Sequence, residues 1–277
     1  MKQRGAPQSE KRPVMRYPGG KFKMTKWILQ HFPPHKLYIE LYGGAGNVLF
    51  AKQPCQGEVY NEINEDIVNV FTVLRNPEQA RELKKLIDLT PFSYREFINS
   101  YRKNPNDDLI ELARKVIYRS FAGIGSDSVF RNAGFRGLKN NETSVTSAQE
   151  WSRYSAAIDF FTKRLKNVVI ENRPALQVLK IYDRPEALVY ADPPYLMSTR
   201  SKYSVIYKNE MTEKDHKELA DALNSAQAQV ILSGYKSPLY EKLYKGWSMF
   251  QKKSQAQNGQ KRIECLWLSP NIQPRLF

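Results

Sequence analysis

The stretch Leu37-Tyr38-Ile39-Glu40-Leu41-Tyr42-Gly43-Gly44-Ala45-Gly46 decides the fold, because an apolar run of strand length is followed directly by a glycine loop. A short helical pattern around Val48–Ala51 follows the loop, and a second strand at Glu58–Tyr60 leads into a longer helix. The apolar residues of that helix are spaced to form one buried stripe: Ile63, Ile67, Val70, Phe71 and Leu74. Strand and helix alternating at this interval predict a parallel sheet with right-handed crossovers.

The middle of the chain has a different pattern, in which helices follow one another without an intervening strand. Helices are predicted over Pro77–Leu89, Pro91–Arg102, Asp108–Phe121 and Gln149–Leu165. The loop Ala122–Thr146 is rich in Gly, Asn, Ser and Arg, and loops of that length in compact proteins are usually functional or mobile. We therefore predict a helical insertion with one long loop.

Strand-helix alternation then resumes. Strands are predicted at 168–170, 187–191, 230–232 and 262–268, and a helix at Glu213–Ala226, where Thr212 and Asp215 have the spacing of a capping box. The predicted organisation is a discontinuous α/β domain over 13–76 and 166–277, split by a helical domain over 77–165 and preceded by a loose tail at 1–12.

The charge balance indicates a polyanionic partner. The 277 residues include 43 Lys and Arg against 28 Asp and Glu, a formal net charge of +15. Clustered cations release counterions from a phosphate backbone, so nucleic acid is the favoured partner over a merely basic surface. No apolar run reaches membrane-spanning length and the N-terminus lacks a signal-peptide core, so we expect a cytoplasmic protein. The three histidines and two cysteines match no metal-ligand spacing, so we expect no metal.

The glycine loop at Gly43, Gly44 and Gly46 is a candidate cofactor site, because glycines let backbone approach a ligand at the strand ends of an open α/β sheet. By itself the loop is explained equally by the backbone angles of a strand-to-helix turn. Glu62, just after the second strand, can accept both hydroxyls of an adenosine ribose, or can simply be a carboxylate favoured at a helix N-terminus. The two features together favour the cofactor.

Asp192-Pro193-Pro194-Tyr195 follows the apolar run 187–191 and carries the most specific chemistry in the chain. An aromatic amine is a poor nucleophile, because its lone pair is delocalised into the ring. Acceptors on its N–H groups stabilise the charge that develops during attack, and the Asp192 carboxylate and Pro193 carbonyl can supply them. Tyr195 can stack on the base and hold it in line with a methyl group. The motif thus indicates methyl transfer to an exocyclic amino group of a nucleobase.

This tetrapeptide resembles the amino-methyltransferase signature in the form typical of enzymes that act on adenine N6. Arg16-Tyr17-Pro18-Gly19-Gly20-Lys21 resembles the opening motif of the Dam-type (D12 class) site-specific DNA adenine-N6 methyltransferases, and the order of motifs is also theirs. The resemblance covers nearly the whole chain. It implies a Rossmann-like fold dependent on S-adenosyl-L-methionine, with a mixed, mostly parallel sheet and an inserted helical target-recognition domain for double-stranded DNA.

The resemblance also implies roles for individual residues. Residues at the matching positions would bind the cofactor: Tyr17, Lys21, Tyr42, Gly43, Gly44, Gly46, Glu62, Asn172 and Asp192. Because the target base lies inside a stacked duplex, methylation of its amine requires extrusion into the pocket. The segment Ser198–Tyr207 either closes over the extruded base or is a surface loop.

The recognition region departs from the family pattern. Members that recognise GATC usually carry Arg-x-Asn-x-x-Gly-x-Phe-Asn. This chain instead has Tyr118-Arg119-Ser120-Phe121-Ala122-Gly123 and then Phe130-Arg131-Asn132-Ala133-Gly134-Phe135-Arg136-Gly137. The glycines and aromatics predict a related hairpin-like loop, but the partial match does not predict GATC specificity. Arg119, Arg131 and Arg136 are the candidate DNA contacts, to base edges or to phosphates.

Three alternatives remain at the level of the sequence: an RNA adenine methyltransferase, a cytosine-N4 methyltransferase, and a catalytically idle DNA-binding protein with the same fold. Cytosine enzymes more often have Ser before the two prolines, and intact Tyr17, Lys21, Glu62 and Asp192 argue against loss of activity. The sequence leaves open whether a separately encoded restriction enzyme is a partner.

Overall fold

A computed structural model describes residues 12–138, 145–200, 209–255 and 261–272 of the chain. Most of the predicted tail and parts of the long loop and of the segment 198–207 lie outside the described residues. The chain forms two compact units. The helical unit contains residues up to Phe22, Gly44–Phe50 and Glu65–Val168, and the sheet unit contains Lys23–Gly43, Ala51–Asn64 and the chain from Val169 onward.

The described residues contain seven strands and eleven α-helices. The strands are β1 (Leu37–Glu40), β2 (Gly57–Asn61), β3 (Val168–Glu171), β4 (Ala187–Ala191), β5 (Gln229–Gly234), β6 (Ser248–Gln255) and β7 (Lys261–Leu268). The helices are α1 (Thr25–Gln30), α2 (Asn47–Ala51), α3 (Glu65–Arg75), α4 (Pro77–Leu89), α5 (Tyr94–Asn99), α6 (Leu109–Ala122), α7 (Ser147–Ser152), α8 (Ile158–Leu165), α9 (Ala175–Tyr182), α10 (Glu213–Asn224) and α11 (Pro238–Leu243).

The strands form one mixed sheet in the order β3-β2-β1-β4-β5-β7-β6, which lies in the sheet unit except for the first residue of β3. β1 pairs in parallel with β2 and with β4, and β4 pairs in parallel with β5. β7 is antiparallel to both β5 and β6. This arrangement confirms the predicted α/β class with a mixed, mostly parallel sheet.

The central strand β4 is buried along its whole length, which explains its uninterrupted apolar sequence. One face of the sheet carries Ile39, Val189 and Leu232 into an apolar core that is closed by α9, α10 and α11. Leu219 and Leu223 of α10 belong to the same core. Buried apolar area of this kind is the main favourable term in folding, at about 25 cal/mol per Å².

Local signals determine where several helices begin. The side chain of Thr212 accepts from the backbone N–H of Asp215 while the Asp215 side chain accepts from that of Thr212, so the predicted capping box of α10 is confirmed. In the helical unit, Asn76 caps α4, whose first residue is Pro77, and Asp108 caps α6. α3 packs against α6, α4 and α8 to form the centre of this unit.

Several predicted boundaries need correction. Ile63 precedes α3 and is 44% exposed, so it does not belong to the buried stripe. The predicted helix over Pro91–Arg102 is shortened to α5, and the one over Gln149–Leu165 is broken into α7, a 3-10 turn at Ser155–Ala157 and α8. β6 was not predicted, because its described side chains through Lys253 are exposed and show no apolar alternation.

Candidate active site

The predicted site residues of the sheet unit gather at the carboxyl ends of four neighbouring strands. Tyr42–Gly43 follow β1, Glu62 follows β2 and Asn172 follows β3. Asp192–Tyr195 follow β4, which pairs with β1. The sheet thus brings these predicted site residues to one edge, the candidate functional edge, and the crevice outside the carboxyl ends of an open α/β sheet is where such folds bind ligands.

The side chain of Asn61 joins three of these strand ends. Its Nδ2 donates to the carbonyl oxygens of Leu41 (2.9 Å) and Arg173 (3.1 Å), and its Oδ1 accepts from the backbone N–H of Arg173 (3.1 Å). Asn61 is only 1% exposed, so these bonds are made away from water. One amide therefore links the chain after β1, the end of β2 and the chain after β3.

Glu62 and Asn172 are neighbours at this edge. Asn172 Nδ2 donates to the backbone oxygen of Glu62 (2.7 Å), and Glu62 Oε1 accepts from the backbone N–H of Asn64 (2.9 Å). The Glu62 residue is 6% exposed. Its carboxylate is thus oriented by a backbone hydrogen bond.

Gly43 and Tyr42 make different contributions. The backbone N–H of Gly43 donates to the Asn61 carbonyl (2.7 Å), and a Cβ built on Gly43 would lie 2.1 Å from the Tyr60 ring, so only glycine fits. The Tyr42 ring packs against the apolar core, and burial raises the pKa of its hydroxyl. Tyr42 is therefore partly a packing residue.

The Asp192–Tyr195 segment leaves the sheet directly after its central strand. Asp192 is half-buried and Tyr195 is 8% exposed. The Tyr195 hydroxyl lies 2.9 Å from Glu264 Oε2 and 3.1 Å from Ser233 Oγ. Burial, with the nearby charges of Asp192 and Glu264, holds the pKa of Tyr195 well above its usual value, so the phenol remains protonated.

Four residues on or next to β5 and β7 were not predicted to belong to the site. Ser233 is the penultimate residue of β5. Tyr235 follows the strand, and the centroid of its ring lies 4.5 Å from that of Tyr195 with an angle of 72° between the ring planes. Arg262 donates to the Tyr235 hydroxyl (3.0 Å), and Glu264 lies on β7. The available sequence signal was one carboxylate in the otherwise apolar run from 263 to 268.

The opening motif and the rest of the glycine loop lie in the helical unit. Pro18 and Gly19 occupy the centre of a turn closed by a 3.1 Å hydrogen bond from Gly20 N–H to Tyr17 O, and Gly19 has a φ of 67°. The Tyr17 ring meets the Phe130 ring edge-on, with 5.3 Å between centroids. A Cβ on Gly44 would lie 2.8 Å from the Tyr17 ring.

Gly44 and Gly46 have positive φ angles of 50° and 63°, a conformation that favours glycine. Lys21 is buried, and its Nζ donates to the carbonyl of Gly19 (2.8 Å). The structure thus brings Tyr17 and Gly44 together, and it gives Lys21 a fixed position in its motif.

The hairpin-like loop predicted around Gly123 and Phe135 is present as an antiparallel bridge between these two residues. Arg136 lies on this loop, where its Nε donates to the Gly123 carbonyl (3.2 Å), and Arg131 is exposed and paired with Asp127.

Arg119 faces inward from α6. Its Nε and Nη1 donate to the carbonyls of Val129 (2.8 Å) and Ser100 (3.1 Å), and burial lowers the pKa of its guanidinium. The role of Arg119 in DNA binding stays a prediction, and these contacts show that it also holds the start of the loop in place.

Neither a metal cluster nor a membrane-spanning helix is found in the described ranges. In them, no set of three or more His, Cys, Asp or Glu side chains is arranged to hold a metal ion. Within the same ranges, no helix combines the length and apolarity required to cross a membrane.

Known proteins resemble this chain over most of its length. A model of the family described as D12 class N6 adenine-specific DNA methyltransferase matches residues 17–258. The DNA adenine methylase of Haemophilus influenzae is 22% identical over 280 residues, covering 95% of this chain and 94% of that protein. The type II methyltransferase M1.LlaDCHI of Lactococcus lactis subsp. cremoris is 25% identical over 271 residues and covers 90% of each chain. The DNA adenine methylase of Escherichia coli K12 is 21% identical and covers 84% of each.

Proposed function

The chain belongs to the family of D12 class N6 adenine-specific DNA methyltransferases, and we propose that S-adenosyl-L-methionine is its methyl donor and that its target adenine is extruded from double-stranded DNA. The observation that carries this proposal is the sheet edge itself. Asp192–Tyr195 follow the central strand, and Glu62 and Asn172 follow neighbouring strands of the same edge. Methyl transfer requires the donor and the receiving amine to lie close together, and the carboxyl ends of neighbouring strands can bind both.

The residues of this edge fit S-adenosyl-L-methionine in their hydrogen-bonding chemistry. A ribose presents two hydroxyl donors, and the buried carboxylate of Glu62 offers the matching acceptors. When bound, the cofactor supplies a methyl group activated on a sulfonium. We also carry forward the sequence-based assignment of Tyr17, Lys21, Gly44 and Gly46 to cofactor binding.

The acceptor half of the site is proposed to act on the adenine amine. The Asp192 carboxylate and the Pro193 carbonyl accept hydrogen bonds from the amino group and stabilise the charge that develops on nitrogen. S-adenosyl-L-methionine would supply the methyl group, and Asp192 and Pro193 would hold the amino nitrogen that receives it in exchange for one of its protons. Tyr195, whose ring is held by Ser233 and Glu264, stacks on the extruded base.

Recognition of DNA is proposed to involve the predicted domain at 77–165. Arg131 is exposed and lies close in sequence to the bridge between Gly123 and Phe135, and Arg136 directly follows Phe135. Arginines presented by such a loop can contact phosphates or the edge of guanine. A separately encoded restriction enzyme as a partner stays a prediction.

The test is transfer of a labelled methyl group by purified protein to DNA from a methylation-deficient host. We expect labelled N6-methyladenine in nucleoside digests of double-stranded DNA, and little label in RNA or in N4-methylcytosine. Asp192→Ala should abolish labelling while retaining DNA affinity, and Asp221→Ala, which alters an exposed residue of α10, should behave as wild type. Labelling by Asp192→Ala at the wild-type rate would contradict the mechanism, and label in RNA or cytosine alone would contradict the substrate.

A further inference from the structure

The ring of Tyr195 is fixed from its hydroxyl end by two strands that do not carry the Asp-Pro-Pro-Tyr motif. The hydroxyl donates to Glu264 Oε2 at 2.9 Å. A phenol has only one hydrogen, so the Ser233 hydroxyl, 3.1 Å away, donates to the phenol oxygen in turn. The phenol oxygen therefore both donates to and accepts from protein groups.

The two groups that hold the hydroxyl come from rigid elements. Ser233 lies on β5 and Glu264 on β7, and these strands pair antiparallel with Ser233 opposite Leu266. On its other side, β7 pairs with β6 through Glu264 and Lys252. A side chain anchored to paired strands holds its geometry better than one anchored to a loop.

The other end of Tyr195 is also held. Arg200 donates to the backbone carbonyl of Tyr195 and makes two contacts of 2.8 Å with the carboxylate of Glu210. The Tyr235 ring meets the Tyr195 ring edge-on, with 4.5 Å between centroids, and restricts it from the side. Both the backbone and the ring of Tyr195 are thus restrained before any substrate arrives.

We propose that Glu264 is a positioning residue, whose carboxylate holds the Tyr195 ring in the orientation that stacks on the target adenine. The proposal rests on the proposed function, because it assumes that Tyr195 contacts the extruded base. A ring that must be ordered at the moment of binding loses part of its stacking energy to side-chain entropy. A ring that is already ordered by Glu264 avoids that loss, so the effect should fall on the reacting complex.

The first experiment compares steady-state methyl transfer by wild type, Glu264→Gln and Glu264→Leu. Glu264→Leu should lower kcat by about tenfold to a hundredfold, because a hydrogen bond to a charged group is lost, with little change in KM for DNA. Glu264→Gln retains an oxygen acceptor and should recover most of the activity. Glu218→Leu, which removes an exposed glutamate of α10, is the matched control and should leave kcat unchanged.

The second experiment tests whether Glu264 acts through the phenol. Tyr195→Phe removes the hydroxyl and keeps the ring, so Glu264→Leu should cost little further activity in the Tyr195→Phe background. Ser233→Ala should likewise cost little further activity in the Tyr195→Phe background. This pair of changes replaces Glu264→Leu in the double-mutant cycle if Glu264→Leu does not fold. Thermal unfolding of each variant reports on folding.

The outcomes separate the two proposals. If wild type methylates DNA but Glu264→Leu keeps full kcat, the positioning role is wrong and the proposed function stands. The same holds if the kcat losses of Glu264→Leu and Tyr195→Phe multiply in the double variant. If wild type transfers no methyl group to adenine, the proposed function fails and the role of Glu264 fails with it.

Discussion

Replacement of Asn61 by alanine should loosen the functional edge of the sheet more than the loss of a single surface hydrogen bond would. The side chain makes three hydrogen bonds, to Leu41 and to both backbone groups of Arg173, and is 1% exposed. At about 1 kcal/mol net for each bond, Asn61→Ala should lower the free energy of unfolding by about 3 kcal/mol. That is a large part of the roughly 5–15 kcal/mol typical of a folded protein, but it should still leave the native state populated.

The same change should weaken cofactor binding, because Asn61 joins the chain segments that carry Gly43, Glu62 and Asn172. Urea denaturation gives the free energy of unfolding, and a constant slope with denaturant shows that only stability has changed. Calorimetric titration with S-adenosyl-L-methionine gives the affinity. Asn61→Asp tests the direction of the bonds, because it replaces the donating amide with a carboxylate oxygen facing two carbonyls and should be at least as destabilising as alanine.

Asn69→Ala is the matched control, since Asn69 makes one solvent-exposed bond from Nδ2 to the Leu109 carbonyl (2.8 Å). It should cost less than about 1 kcal/mol and leave cofactor affinity unchanged. If Asn61→Ala unfolds at the same urea concentration as Asn69→Ala, then the three hydrogen bonds of Asn61 do not stabilise the strand ends, and the expected link between this side chain and cofactor affinity is refuted.

Two further predictions concern a carboxylate and a histidine. Glu62→Ala should weaken binding of S-adenosyl-L-methionine by about tenfold to a hundredfold and change the chemistry of the bound state less; an unchanged dissociation constant in calorimetric titration would remove Glu62 from the ribose. His216 is fully buried beside the Tyr240 hydroxyl (3.0 Å), and burial together with the charge of Arg200 lowers its pKa from 6.5 to about 4. Since the unfolded chain takes up this proton and the folded protein does not, the free energy of unfolding should fall as pH decreases from 6.5 towards 4, by up to about 1.4 kcal/mol per pH unit. Urea denaturation of His216→Gln should lack this component, and identical pH profiles for the two proteins would show that His216 is not its source.

The parts of the fold that the sequence predicted well are those whose signals are local. β4 was predicted with its observed bounds, because a strand buried on both faces is uniformly apolar. The start of α10 was predicted from Thr212 and Asp215, since a capping box lies within four residues. The strand pattern indicated Glu62 and the family resemblance added Asn172, and the structure places the two side by side.

The parts that were missed depend on contacts between distant residues. β6 pairs with β7 along eight residues, but its exposed side chains, including Phe250 and Lys252, give no alternation from which a strand could be predicted. Asn61 was missed because its partners lie 20 and 112 residues away. A side chain of this kind has an ordinary sequence context, and only the folded chain shows what it joins.

The contacts of Tyr195 show why a short motif is not a complete site. The sequence 192–195 supplies the acid, the turn and the aromatic ring, but the ring direction depends on Ser233 and Glu264, which are 38 and 69 residues further along the chain. Both are brought to the motif by the pairing of β5 with β4 and β7. β7 runs antiparallel to its neighbours, so Glu264 reaches this edge as the fourth residue of its strand. It does not lie beyond the carboxyl end of a strand, as the motif residues do. The end of the parallel strand β4 therefore supplies the proposed catalytic segment, whereas the carboxylate bonded to its tyrosine comes from within the antiparallel strand β7.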